Sequence, residues 1–478
     1  LMAHSSQLLT GPIHKALLSL AIPIVISQLL QSAYQLTDAF WVGRLGPAEV
    51  AAVSISMPVT FLVIAIGAGL AMAGDTLAAQ YIGAGRREEV DKVSAQTLLM
   101  VLVMSTILGT CGYWLSPHFL TLLKVEPEVY SNALSFMHVS FIGVIFVFTF
   151  NMFQALMRGI GEVRIPLLIV LGTVLLNLVL DPLFIFGYGI MPGLGVTGAA
   201  LATLVTLVTQ AIAALIGIGI LLKGRHGIHV RLRYFIPDYS YIRRAFFLGI
   251  PGSVDLSARA LGQIIMSFLV ASFGTVTIAS YGVVNNILMF VTIPALGLGM
   301  AISTLVGQNL GAGQIERASQ AATTGAIWGF VSLSLVGGLS FLLAPQIIAF
   351  FVPEQPEVIA TGAQFVEVMA LTWGGMAVQV CITGAFRASG NMMNAMVLSL
   401  LSQWVFLFPI AFVLSKHTEL GKAGIWWAFA ATNILIGIVS VCWLARGSWK
   451  HTKLTQQKQE VLHVTEEALR ESDDHYYP

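Results

Sequence analysis

The chain has 478 residues, 56% of them hydrophobic and only 10% charged, with a formal net charge of +1. That balance excludes a soluble domain and fits a protein that crosses a membrane many times. No basic patch or RNA motif points to nucleic acid, and Cys111, Cys381 and Cys442 all fall in apolar stretches, which implies no disulfide framework.

Taken in order, residues 1–15 are polar, lack the apolar core of a cleaved signal, and are expected to be a cytoplasmic segment. Apolar windows of about twenty residues then predict twelve spans. They lie at 16–43, 50–80, 94–115, 130–157, 164–187, 196–222, 242–272, 277–307, 319–344, 358–386, 393–415 and 423–445. The expected plan is an N-terminal six-helix bundle at 16–222, a basic linker at 223–241, a C-terminal bundle at 242–446 and a polar tail at 447–478. With an even number of spans, both termini share one face. The opposite face collects only Arg44, Lys124, Lys416 and Lys422, and Arg259 lies inside a span; the remaining Lys and Arg of the 24 fall on the terminal face. The positive-inside rule therefore places both termini in the cytoplasm of a multi-pass plasma (inner) membrane protein.

The first span contains a single ionisable residue, Asp38, between Leu17 and Val42. An acid in hydrocarbon is costly, so it is expected to face a protein interior or a wet cavity. Gln28, Gln31, Tyr34 (or Gln35) and Asp38 recur every three or four residues and so share one helical face.

An internal repeat organises the rest. Ile22-Pro23 returns as Ile250-Pro251, and QYIGAG at Gln80–Gly85 as QNLGAG at Gln308–Gly313, both displaced by 228. Arg158-Gly159 matches Arg387-Ala388 at 229, and Gly195 and Gly198 match Gly421 and Gly424 at 226. Each half holds an even number of spans, so the repeats run parallel, related by an axis along the membrane normal. The expected fold is thus all-α, with twelve transmembrane helices as two parallel six-helix bundles around a central cavity.

Features private to one half are candidates for chemistry. Asp38 shifts onto Met266, and Asp181 onto Leu407 or Phe408. Both acids sit about 25–30 Å from the terminal face at 1.5 Å per residue. Asn177 precedes Asp181 by one helical turn, and Pro182 cannot donate to the carbonyl of Leu178. Two carboxylates, an amide and loosened carbonyls suit a small cation or a shared proton. Other membrane acids carry structural readings: Asp255 an ion pair with Arg259 one turn on, and Asp75 a local cap or pair. Glu367 and its repeat counterpart His138 are candidates to line a cavity, and Asn285-Asn286 to bond neighbouring helices.

The twelve spans as two sixes, QYIGAG with its echo, Asp38 in the first helix and Asn177-Leu178-Val179-Leu180-Asp181-Pro182 together resemble the multidrug and toxic compound extrusion family, over roughly residues 12–446. The resemblance implies antiport, with a cationic or amphipathic toxic compound leaving as H+ or Na+ enters. Carried onto this chain, the family's cation-coupling site is Asp38, Asn177, Asp181, Ala199 and Thr203, of which Asp38, Asn177 and Asp181 would ligate the metal ion if Na+ is used. The family's cavity would be lined here by Gln31, Tyr34, Asn151 and Gln154. Some members carry an acid in the tenth helix where this chain has Met376, a departure that points to the DNA-damage-inducible (DinF-like) branch. The expected partners are the drug, H+ or Na+ and the lipid bilayer; the expected state is a monomer, with no cofactor. The alternative is a lipid or lipid-linked-sugar flippase of the same superfamily, which calls for several cavity-facing cations where this chain offers only Arg259. An embedded enzyme would need paired acids on one helix for a metal–diphosphate, or a histidine-rich cluster, and neither motif is present.

Overall fold

The structure, a computed structural model, describes residues 7–223 and 231–451. Part of the expected linker (224–230) and most of the expected tail (from 452) lie outside the described residues. Among the described residues twelve helices are long and apolar enough to cross a membrane. In chain order they are α1 (Ile13–Gly43), α2 (Pro47–Gly83), α3 (Arg87–Leu122), α4 (Pro127–Gly159), α5 (Arg164–Phe186) and α6 (Gly195–Lys223). The second six are α7 (Tyr239–Ala271), α8 (Thr275–Gly311), α9 (Ile315–Leu342), α10 (Pro356–Ala388), α11 (Met392–Lys416) and α12 (Lys422–Arg446). All twelve expected spans are present, and α7 begins three residues earlier than its apolar window. Between α5 and α6 lies a short antiparallel hairpin, Gly187–Tyr188 with Met191–Pro192, which no sequence pattern announces.

Repeat-related turns have the same backbone. Gly85 and Gly313, which close α2 and α8, have φ of 73° and 79°, and Gly161 and Gly390, after α4 and α10, both have φ of 88°. A left-handed residue after the last helical turn returns two N–H groups to carbonyls that would otherwise go unpaired, and glycine adopts that conformation without a Cβ clash. The bonds recur in register: Arg86 N–H to Tyr81 O at 3.0 Å and Gln314 N–H to Asn309 O at 2.9 Å. Pro47, Pro127 and Pro356 open α2, α4 and α10 at a position where no N–H is needed.

Inside lipid there is little hydrophobic gain from bringing helices together, so close packing has to hold them. Small residues permit it. A Cβ placed on Gly69 of α2 would lie 2.1 Å from the Gly249 carbonyl of α7, so these helices touch backbone to backbone. Phe365 and Trp426 stack at 4.0 Å in the core of the second half. Helix α1 contributes to the cores of both halves. Leu17, Leu20 and Ile24 of α1 are buried among Leu298, Ile302, Leu305 and Phe386 of α8 and α10. The stretch before α1 is docked there too: Asn309 Nδ2 donates to the Leu8 carbonyl at 3.2 Å, and Arg317 Nη2 donates to the carbonyls of Leu8 and Gly11. Farther along, α1 leaves that core and packs on α5. The result is a helix whose first half is built into one repeat and whose second half serves the other.

The buried ion pairs lie towards the terminal face. Asp75 is not paired locally, as its position at a helix end led one to expect, but across to α4, where Arg158 Nε donates to it at 3.0 Å. Asp255 does pair with Arg259 at 3.0 Å, and also takes Arg387 Nη2 at 3.0 Å. Single-residue windows could find the first partner and not the second, which lies 132 residues away. In α11 the helix widens into a π-helical stretch at Leu401–Leu407.

Candidate functional site

The site begins with α1, whose polar face turns from the second-half core to the first half near its middle. Gln31, Tyr34 and Asp38 line a cavity of about 400 Å³ between α1, α2, α4 and α6. Asn151 of α4 joins them, with Ala199, Thr203 and Gln210 of α6; Met57, Ile64, Phe136, Phe150 and Leu204 supply apolar wall. Asp38 is half-buried; Asn177 and Asp181 of α5 stand behind the wall, buried to 1% and 0% exposure.

One amide ties the acids together. Asn177 Nδ2 donates to Asp38 Oδ1 at 2.8 Å and to Asp181 Oδ2 at 3.1 Å. The second bond follows from their one-turn spacing on α5; the first needs the packing of α1 on α5. Thr203 Oγ1 donates to the other Asp38 oxygen at 3.3 Å. The two carboxyl groups are thus bridged by a single amide. Asp181 Oδ1 is buried and receives no hydrogen bond among the described residues, and neither does the Tyr34 hydroxyl. Helix α5 continues four residues past Pro182 to Phe186.

Of the residues expected at this site, Asp38, Asn177, Asp181, Ala199, Thr203, Gln31, Tyr34 and Asn151 come together here. Gln154 does not. It lines a separate small space towards the terminal face, with Ser27, Gln28, Arg158 and Glu162. One turn from Asn151 along α4, it is on the right helical face but below the floor of the cavity. Gln28 of α1 is displaced in the same way. Glu367 is exposed and His138 stacks on Tyr113 at 4.0 Å; neither lines this cavity. Asn285 and Asn286 are exposed.

Three contributors were not singled out from the sequence. Thr206 Oγ1 lies 3.3 Å from Asn177 Oδ1, and Gln210 Nε2 donates to Thr173 Oγ1 at 2.8 Å. The signal existed: Thr203, Thr206 and Gln210 follow one face of α6, and Thr173 precedes Asn177 by a turn. Among the described residues no group of three or more His, Cys, Asp or Glu converges. The available ligands are therefore two carboxylates, one amide and hydroxyls, which suits a proton or a hard monovalent cation.

This arrangement has relatives. The chain is 28% identical to the probable multidrug resistance protein YoeA of Bacillus subtilis, over 91% of this chain and 94% of that protein. It is 27% identical to the multidrug resistance protein PmpM of Pseudomonas aeruginosa, over 94% and 96%. Its fold superposes with a TM-score of 0.87 on the outward-facing conformation of a multidrug resistance MATE family transporter of the MOP superfamily, at 24% identity, over 93% of this chain and 98% of that one. A MOP superfamily transporter from Pyrococcus furiosus, described as having a binding pocket of reversed polarity, also gives 0.87, at 25% identity and with the same coverage. The MatE family model matches twice, at residues 23–183 and 251–413, once in each half and starting at the repeat-related Pro23 and Pro251. With both halves matched and the fold shared throughout, the chain belongs to the MatE family.

Proposed function

We propose that the chain is a secondary antiporter that exports cationic or amphipathic toxic compounds in exchange for H+, with Na+ as the competing choice of ion. The observation that carries this reading is the Asp38–Asn177–Asp181 cluster at the edge of the cavity, with one buried carboxylate oxygen lacking a donor among the described residues. A buried acceptor left unpaired costs about 1–3 kcal/mol, more when charged. A proton shared between the acids would cap it; so would Na+, using carboxylate oxygens, the Thr203 hydroxyl and an Asn177 amide turned to present oxygen. A cationic compound beside Asp38 stabilises the ionised pair. Drug and ion therefore compete, and reciprocity requires that binding of one release the other. The names of relatives such as YoeA and PmpM support the substrate class.

The terminal face is assigned to the cytoplasm of the plasma membrane by its basic loops. Met376 of α10, in place of an acid, supports the DNA-damage-inducible branch and a single coupling site in the first half. Flippase activity is disfavoured because Arg259 is engaged by Asp255 and by the Ser399 hydroxyl at 2.7 Å, leaving it ill placed to hold a diphosphate. The deciding experiment is efflux of a fluorescent organic cation from proteoliposomes under an imposed pH gradient, then an imposed Na+ gradient. Transport driven by neither gradient overturns the reading.

A further inference from the structure

The repeat motif QYIGAG and its echo QNLGAG have no part in the acid site, yet they are among the most strongly repeated features of the chain. Their side chains cross between the halves. On α2, Thr76 Oγ1 donates to the Arg387 carbonyl at 3.0 Å, and Gln80 Nε2 to the Ala388 carbonyl at 2.7 Å. On α8, Thr304 Oγ1 donates to the Arg158 carbonyl at 3.2 Å, and Gln308 Nε2 to the Gly159 carbonyl at 2.9 Å. Thr76 and Thr304, Gln80 and Gln308, Arg158 and Arg387, and Gly159 and Ala388 are all repeat counterparts. The second helix of each half thus bonds to the end of the fourth helix of the other.

The acceptors explain why such a bond can exist. Gly159 and Ala388 are the last residues of α4 and α10, so their carbonyls lie beyond the helix's own N–H groups and need an outside donor. The donors are fully shut in: Thr76, Gln80, Thr304 and Gln308 are 2%, 0%, 0% and 1% exposed. Beside them the two helices meet with no room to spare. A Cβ on Gly83 would fall 2.0 Å from the Gln308 carbonyl, and one on Gly311 2.1 Å from the Gln80 carbonyl. Asp75 with Arg158, and Asp255 with Arg387, hold each acceptor helix end to its own half.

We infer that these four side chains form a twofold latch that closes the terminal face between the halves, each Gln–Thr pair capping a helix end of the opposite half. Opening this face exposes donors and carbonyls together to water, which replaces every bond lost. The latch therefore releases at small net cost, as a reversible gate must, and biases the equilibrium towards the closed face. Its two arms contribute equally. The inference rests on the proposed antiport working by alternating access between the two bundles, but not on which ion or compound is carried.

The test labels Arg87→Cys and Glu316→Cys, exposed residues in the first turns of α3 and α9, with spin labels in the full chain. Cys111 and Cys442 are replaced, and Cys381 is left buried. Pulsed EPR in lipid nanodiscs, without drug or gradient, reads the populations of short and long label separations. Gln80→Ala and Gln308→Ala should each raise the long-separation population about two- to tenfold, as expected for one lost hydrogen bond, and by equal factors. The double variant should multiply the two effects. Thr76→Ser with Thr304→Ser keeps both hydroxyls and should leave the distribution as in the wild type. Should a glutamine variant fail to fold, Gly311→Ala opens the same face by pressing a Cβ on the Gln80 carbonyl, with every donor kept, and should also lengthen the separation. Unchanged distributions in folded glutamine variants, or in Gly311→Ala, overturn the latch, and a shift produced by Gln80→Ala alone overturns its symmetry. Because no ion or drug is present, a null result here is distinct from failure of Asp38 and Asp181 to couple transport.

Discussion

At the terminal face α2 and α8 are interchangeable: Thr76 and Gln80 bond to the end of α10 as Thr304 and Gln308 bond to the end of α4. Towards the opposite face the same repeat operation takes Asp38 to buried Met266, and Asp181 to Leu407 or Phe408. Asn177 falls on Gln403 or Trp404, inside the π-helical stretch of α11. None of these repeat-related positions carries an acid, and Trp404 Nε1 donates to the Ala258 carbonyl at 3.2 Å, a helix–helix contact. Symmetry is thus kept at the proposed latch and lost at the proposed ion site. On these proposals one half can specialise for the ion, because none of the four latch side chains belongs to the acid cluster.

The sharpest way to break this comparison is to remove the acids. Asp38→Asn or Asp181→Asn should abolish gradient-driven efflux while the protein still purifies as a folded species, since Asn fills the same space. Met266→Leu at the repeat-related position conserves volume and should leave efflux within about twofold of the wild type. Retained efflux in folded Asp38→Asn protein would mean that the asymmetry has no bearing on coupling.

Asp255 offers the complementary case, a buried acid in the half without the site. Asp255→Asn leaves the guanidinium of Arg387 without its carboxylate, and breaking a buried pair from one side costs about 3–5 kcal/mol. A thermal-shift assay should show a clearly lower unfolding midpoint, while efflux per folded molecule stays near the wild type. A normal midpoint with lost coupling would move the ion site into the second half.

Competition at the acids separates the two ions with a smaller effect. If a proton is exchanged, a purified sample should bind an organic cation severalfold more weakly at pH 6 than at pH 8, with little response to Na+ at constant ionic strength. The sign follows from mass action: raising the proton concentration favours the protonated pair, which has less charge to offer the drug. Displacement by Na+ with no pH response would assign the site to sodium.

Much of this was legible in the sequence, because membrane spans and a repeat leave long-range signals. Pro23 and Pro251 mark corresponding places, and the paired glycines after α2 and α8 announce identical turns. Asn177 and Asp181 share a face by spacing alone. That Asn177 also holds Asp38 depends on α1 crossing from one half to the other, and no periodicity encodes that crossing. The partner of Asp75 was missed for the same reason: Arg158 is 83 residues away and meets it only when α2 packs on α4. Helical spacing reports direction around an axis well and depth relative to neighbouring helices poorly.

Asn151 and Gln154 isolate that last distinction, with the smallest expected effect. Both project from α4 towards α1, since three residues bring a helix back to within about 60° of the same direction. The rise between them is about 4.5 Å, and that is enough to separate the cavity from the small space around Glu162 and Arg158. Asn151 can donate to or accept from a bound compound; Gln154 cannot reach it while the floor is closed. Losing one hydrogen bond of about 0.5–1.5 kcal/mol corresponds to a roughly two- to tenfold change in affinity. Asn151→Leu should therefore weaken binding of polar organic cations by a few-fold, and by less for purely apolar ones, as measured by titration of the purified protein. Gln154→Leu should leave the same affinities within about twofold. Equal losses from the two substitutions would place both side chains against the compound, and the cavity would then extend a full turn deeper than its floor at Asn151.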